Sequence, residues 1–302
     1  MIDRAIVCSF LYVITRYGYP PPPEQTGTYL AEMKALGFQS VELEGIRREH
    51  LRAIHNRRQE IAYQLRQLDL TVPYFCVVLP GLASASGTER EQNLQLFRLG
   101  CEVAARWGAI GVLDNAPLPP YLFPNDIPVV RHYDEEVLQA GVLPKDLSWP
   151  VYWAELVATY RTACDIAREF GLTYHLHPCL GVLAATTEGF LYFRDAVNRA
   201  NLRFTLDTAN QFVQKDNLAL SLRRLADCLD YIHLSDNRGV QVEHLAPGQG
   251  AINWDVFFET LDLIGFKGHI GIDVGGAESG VADLEQAYRQ TAAWLAGRWR
   301  AG

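Results

Sequence analysis

The stretch T173-Y-H-L-H-P-C-L-G181 places two histidines two positions apart at the end of a short β-like run, just before a proline. In an extended strand successive side chains point to opposite faces, so His175 and His177 share one side and Tyr174 and Leu176 the other. Working outward, the run is one of eight similar ones. AIVCSF (5–10), SVELE (40–44), TVPYFCVVL (71–79) and AIGVLD (109–114) precede it with LTYHLH (172–177) as the fifth, and LRFTLD (202–207), LDYIHLSD (229–236) and HIGIDV (269–274) follow. Amphipathic segments separate most of them, including TYLAEMKALGF, WAELVATYRTACDIAREFG and NWDVFFETLDLIGF, with Thr187 available to cap the helix after the fifth.

Eight such units in 302 residues, with no linker between them, predict an α/β chain of one domain, 1–302, folded as a (β/α)₈ TIM barrel. An open doubly wound sheet would normally carry a glycine-rich phosphate loop after an early strand, and neither GxGxxG nor a Walker sequence is present. One long Pro-rich loop insertion, at about 115–150, reads as a lid or binding loop. Aromatic residues of the loops (Tyr12, Tyr17, Tyr19, Phe123, Tyr133, Trp149, Trp153) are candidates for an apolar wall over a ligand.

The net charge of −8 disfavours nucleic acid as a partner, and the run Arg47, Arg48, Arg52, Arg57 and Arg58 is interleaved with Glu49 and Glu60, as on a solvated helix face. Six cysteines without a CxxC pair read as reduced thiols of a cytoplasmic protein. No signal peptide or apolar span suggests export or a membrane. A homo-oligomer is compatible with the fold class, though no feature requires one.

In such a barrel the strand C-termini gather at one mouth. Alternation points inward Glu42 and Glu44 on strand two, His175 and His177 on strand five, Asp207 on six, His233 on seven and Asp273 on eight. A strand-end Asp often only caps the next helix, and one strand histidine is usually just a satisfied polar residue. Together, imidazoles and carboxylates from four consecutive strands form a ligand set for one divalent ion, Mn, Co, Zn or Mg. Such an ion also offsets the cost of burying the carboxylates.

The segments LDTAN, IHLSDNRG and EHLAPGQGAINWDVFFETLDLIGFKGHIGIDV resemble the xylose isomerase-like barrel superfamily of sugar isomerases and epimerases. The resemblance implies a metal held by carboxylate, Asp, His and carboxylate from strands five to eight, which fall here on His175, Asp207, His233 and Asp273. The expected reaction is proton abstraction next to a carbonyl of a sugar or keto-cyclitol, with His175 (as fourth ligand or base), His177 and Asp273 as catalytic candidates, Glu44 and Arg238 placed to contact substrate oxygens, and His244, before a loop that resembles the family's site-bordering segment, a further substrate contact. Where the family usually has Glu on strand five, this chain has His. The YHxH run is similar to that of inosose dehydratases, so a lyase acting on a keto-inositol or keto-glycoside is the alternative. A non-catalytic sugar-binding barrel is a third. The superfamily's endonucleases are disfavoured, because Asn210 stands where their DxxH motif has histidine and the net charge has the wrong sign.

Overall fold

A computed structural model describes residues 2–124 and 135–299. The middle of the long loop, with Tyr133, lies outside the described residues. The strands are β1 (Ile6–Cys8), β2 (Ser40–Val41 and Leu43–Ile46), β3 (Tyr74–Val78), β4 (Gly111–Asn115), β5 (Thr173–His177), β6 (Leu202–Asp207), β7 (Leu229–Leu234) and β8 (His269–Ile272). All pairings are parallel. The first segment of β2 pairs with β1 and the second with β3, so the nine segments of the sheet close into eight staves. The TIM barrel expected from the alternation is the observed fold.

Glu42 is the residue at which β2 is broken. Its N–H still donates to the Cys8 carbonyl (2.8 Å), so the stave stays anchored while its side chain turns to the barrel interior. Below the mouth, the inward residues of odd-numbered staves fill the axis. Tyr74 stacks on Tyr231 (4.3 Å between centroids) and meets the His175 ring edge-on (4.8 Å). Two even-numbered staves, β4 and β8, contribute glycines at this level. A Cβ on Gly111 would stand 2.4 Å from Thr173 Oγ1, and one on Gly271 would stand 2.5 Å from Tyr231 Oη. Large and small residues thus interdigitate, as a filled barrel requires.

Helices cover the outside by the same logic. The helix Gly87–Trp107 begins at Ser86, whose hydroxyl accepts from Glu89 N–H, and ends at Gly108 with φ 74°. Within it, Gly100 lies so close to β3 that a Cβ would sit 2.4 Å from Val77 Cγ1. Alanine is the better helix former by about 1 kcal/mol, yet overpacking costs about 1–3 kcal/mol. Gly100→Ala is therefore expected to lower the unfolding free energy in urea titration, and Val77→Ala in the same chain to restore part of it.

The helix Thr187–Val197 is capped by Thr186, one residue earlier than expected, whose hydroxyl accepts from Gly189 N–H. Thr187 instead donates its backbone N–H to Asp216, and its hydroxyl bonds the Ser221 hydroxyl. All six cysteines are free, and only Cys179 is not fully buried. Among the described residues no helix is long and apolar enough to cross a membrane.

Candidate active site

The mouth gathers five side chains able to ligate a metal ion, each at the end of a stave or in the loop that follows. Asp207 ends β6 and caps the helix Thr208–Val213, its Oδ1 accepting from Asn210 N–H (2.8 Å). Its Oδ2 accepts from His177 Nε2–H (2.9 Å) and from the Asn210 side-chain amide (2.7 Å). The sequence position marked as a departure, Asn210, is thus spent on holding Asp207. His177, Asp207 and His233 have ligand atoms all within 4.8 Å of one another, and so do Asp207, His244 and Asp273. Asp207 is the member common to both groups, and all five side chains are buried.

Two carboxylates outside the cluster aim two of its imidazoles. Glu42 Oε2 accepts from His233 Nε2 at 2.9 Å, and a carboxylate can only accept, so that nitrogen carries the proton. His233 Nδ1 is buried without a hydrogen-bond partner, 4.0 Å from Asp273 Oδ2, and becomes a lone-pair donor when a cation displaces its proton. His244 repeats the pattern. Its Nδ1 bonds Glu278 Oε1 (3.1 Å), and its Nε2 stands 3.8 Å from Asp207 Oδ2 and 3.6 Å from Asp273 Oδ2. Asp273 itself is held through Oδ1 by the Ser9 hydroxyl (2.6 Å), which leaves Oδ2 facing the cluster.

The electrostatics agree with a site short of positive charge. Burial alone would depress the His177 and His233 pKa values, but the bond to Asp207 and the charges of Glu42 and Asp273, respectively, outweigh it and raise both to about 9. Asp207 is fully desolvated, and its imidazole partners nevertheless hold it well below the usual carboxylate range. Protons on histidine thus do what a cation would do. The orphaned Nδ1 and the nitrogen and oxygen donor set fit one divalent ion, with N/O ligation suited to Mn, Co or Zn. Carboxylates behind ligating histidines typically contribute 10–100-fold in metal affinity. Glu42→Gln is accordingly expected to raise the Kd for Mn²⁺ by about 10–100-fold in calorimetric titration.

Several expected site residues are placed elsewhere. His175 is not in the cluster. It pairs across the sheet with Arg203, four residues before Asp207, its Nε2 is 2.9 Å from Thr173 Oγ1, and its ring packs on Tyr74. Period-two alternation gives both histidines the same face but not the same depth, and the barrel fill takes the deeper one. His177 occupies the mouth in its stead. Arg238 pairs with Glu243 (2.6 Å) and lines a separate surface depression with Lys215 and Asn253, away from the cluster. Its neighbour Asp236 holds the following loop, accepting from Gly248 N–H, Ile252 N–H and the Trp254 indole. His244, expected beside a substrate, lies among the ligating groups. Glu44 does face the cavity over the cluster, a space of about 510 Å³ also lined by Asn115, His177, Asn210, His233 and Asp273.

Of the loop aromatics, Tyr19 reaches this cavity. Tyr12 packs on Tyr288, and Trp149 and Trp153 stack in an exposed row continued by Tyr192. Glu42 was legible as an inward residue, from its alternation with Glu44, but not as the partner of His233. Ser9 and Glu278 carried no signal, since neither lies in a pattern that distinguishes it from an ordinary loop residue.

His175 and His50 have a separate consequence. Burial depresses their pKa values, to about 3 and about 4. Unfolded, each takes up a proton near pH 6.5, so stability is present above that pH and is lost as pH falls toward the folded values. The slope is about 1.4 kcal/mol per pH unit for each histidine. The raised groups, His177 and His233, lose their contribution instead as pH rises toward 9, outside this window. Urea unfolding of EDTA-treated protein is expected to show stability falling between pH 6.5 and 5, with a shallower slope in His175→Gln.

A parallel eight-stave barrel with imidazoles and carboxylates converging at its C-terminal mouth defines a class, the TIM barrels whose mouth carries a side-chain set able to hold a metal ion. Within it, the chain belongs to the xylose isomerase-like TIM barrel family, which it matches over residues 30–298. An uncharacterized protein of Methanocaldococcus jannaschii is 29% identical over 146 residues, 45% of this chain and 49% of that one. The L-ribulose 3-epimerase of Methylomonas sp. is 26% identical over 129 residues, 41% of this chain and 43% of the enzyme. The chain therefore spans half or less of these curated relatives. The solved 3-keto-D-glucoside 4-epimerase from E. coli superposes with a TM-score of 0.72 at 19% identity, covering 98% of this chain and all of that one, a likeness of fold.

Proposed function

We propose that the chain is a divalent-metal-dependent epimerase of a keto-sugar or keto-cyclitol. The observation that carries this is His233, its Nε2 fixed by Glu42 and its buried Nδ1 left without a partner opposite Asp273. The epimerases among the relatives support the same reading. His177, Asp207, His233 and Asp273 would hold the ion, with His244 as a fifth donor. When bound, the ion supplies Lewis acidity at a carbonyl oxygen, making the adjacent C–H acidic.

The protein's own groups supply the rest. Asp273, oriented by Ser9, takes the proton from the carbon next to the carbonyl, and epimerisation follows when a proton is returned to the other face. Glu44 and Asn115 bind substrate hydroxyls across the cavity. The test is to incubate metal-loaded protein with keto-sugars and keto-cyclitols and identify products by ¹³C NMR. Epimers support the proposal. An enone as sole product assigns a lyase, and no turnover of any of them leaves a binding barrel.

A further inference from the structure

His177, His233 and His244 all reach the cluster, and a carboxylate holds the outer nitrogen of two of them, Glu42 that of His233 and Glu278 that of His244. At His177 a thiol takes that place. Its Nε2 faces Asp207 Oδ2 at 2.9 Å, and its Nδ1 faces the Cys179 sulfur at 3.6 Å. The same sulfur lies 3.4 Å from Asn115 Oδ1, an oxygen that can only accept. The single thiol proton therefore goes to Asn115, and only sulfur lone pairs remain to meet His177. Nδ1 must be the donor in that contact, which leaves Nε2 as the nitrogen an ion can take by displacing the proton directed at Asp207.

Two adjoining staves build this relay. Asn115 ends β4 directly beside His177, the last residue of β5, and the Ala116 N–H donates to the His177 carbonyl (2.8 Å). Pro178 separates His177 from Cys179, and its fixed φ narrows the ways the thiol can approach the ring. Asn115, His177 and Cys179 all line the cavity over the cluster. A cysteine that only filled space would sit among apolar groups. This one has a polar atom on either side of its sulfur.

We propose that Cys179 is the positioning residue of His177: with its own proton directed to Asn115, it holds the Nδ1 hydrogen and so presents Nε2 to the metal ion. This rests on the metal-dependent reading of the mouth and adds to it a residue that does not itself touch the ion. It also makes the three imidazoles unequal. A carboxylate behind a ligating histidine raises its basicity, whereas a neutral sulfur, a weak acceptor, orients the ring without that gain.

The test uses the full-length protein and Mn²⁺. Cys179→Val keeps most of the bulk and removes the lone pairs. It is expected to raise the Kd for Mn²⁺ about tenfold in calorimetric titration, the lower end of the range for such partners because sulfur accepts weakly. Cys179→Ser, whose hydroxyl can accept from His177 and donate to Asn115, is expected to stay within about threefold of the wild-type protein. The second readout is the ¹⁵N–¹H spectrum of the imidazole nitrogens in Zn²⁺-loaded protein. It should show His177 protonated at Nδ1, with that proton exchanging faster with water in the valine variant and the ring protons of His233 and His244 unchanged. Wild-type affinity in a folded Cys179→Val protein, equal weakening by serine and valine, or a His177 protonated at Nε2 in the loaded wild-type protein would overturn the positioning role alone. If the valine variant does not fold, the wild-type spectrum and the serine variant decide. Failure of the wild-type protein to bind Mn²⁺ would overturn the role together with the metal-dependent reading.

Discussion

Asp207→Asn is expected to abolish turnover, by at least about 10³-fold in kcat/KM, while the barrel stays folded. The asymmetry follows from the two jobs of this side chain. As a helix cap it needs only an acceptor for Asn210 N–H, and asparagine supplies one equally well. As the member common to both ligand groups it needs a negative charge between His177 and His244, which asparagine lacks. The discriminating readout is the melting temperature with and without Mn²⁺. The wild-type protein should be stabilised by saturating ion, by about 2.7 kcal/mol at a hundred times Kd, and the variant should not respond. Unchanged turnover in a folded Asp207→Asn protein would remove the ion from the mechanism.

The second large effect is a contrast between two histidines two residues apart. His177→Gln is expected to cost about 10²–10³-fold in kcat/KM, with a matching loss of metal affinity, because it removes a donor from the mouth. His175→Gln is expected to leave metal affinity within about threefold. Its cost appears as stability, about 1–3 kcal/mol, because the ring fills the barrel against Tyr74 and bonds Thr173. Metal titration and urea unfolding on both variants separate the roles. The reverse outcome, an inert His177 and an essential His175, would return the fifth-strand ligand to the position suggested by resemblance.

That contrast also marks how far the sequence could be read. Strand alternation carried the barrel, because eight apolar runs spaced by amphipathic segments have few other ways to bury both faces of a parallel sheet. Asp207, His233 and Asp273 were legible because each ends a strand that alternation orients unambiguously. The depth of a side chain along the barrel axis depends on strand tilt and stagger, and no local pattern encodes it. For this reason His175 and His177 were exchangeable on paper. The positions of Arg238 and His244 were hidden by a different cause. Both follow β7 in irregular backbone, where Asp236 gathers three donors from residues 248–254 and so fixes which neighbour turns inward. The carboxylates behind the histidines, Glu42 and Glu278, come from opposite ends of the chain, and only folding brings them there.

A crystal of the protein soaked in Mn²⁺ and measured at the manganese edge tests the central claim most directly. The account predicts one anomalous peak in the barrel mouth, within about 2.0–2.4 Å of His177, Asp207, His233 and Asp273 and away from His175. No peak there, or one bound by His175 in place of His177, would contradict it.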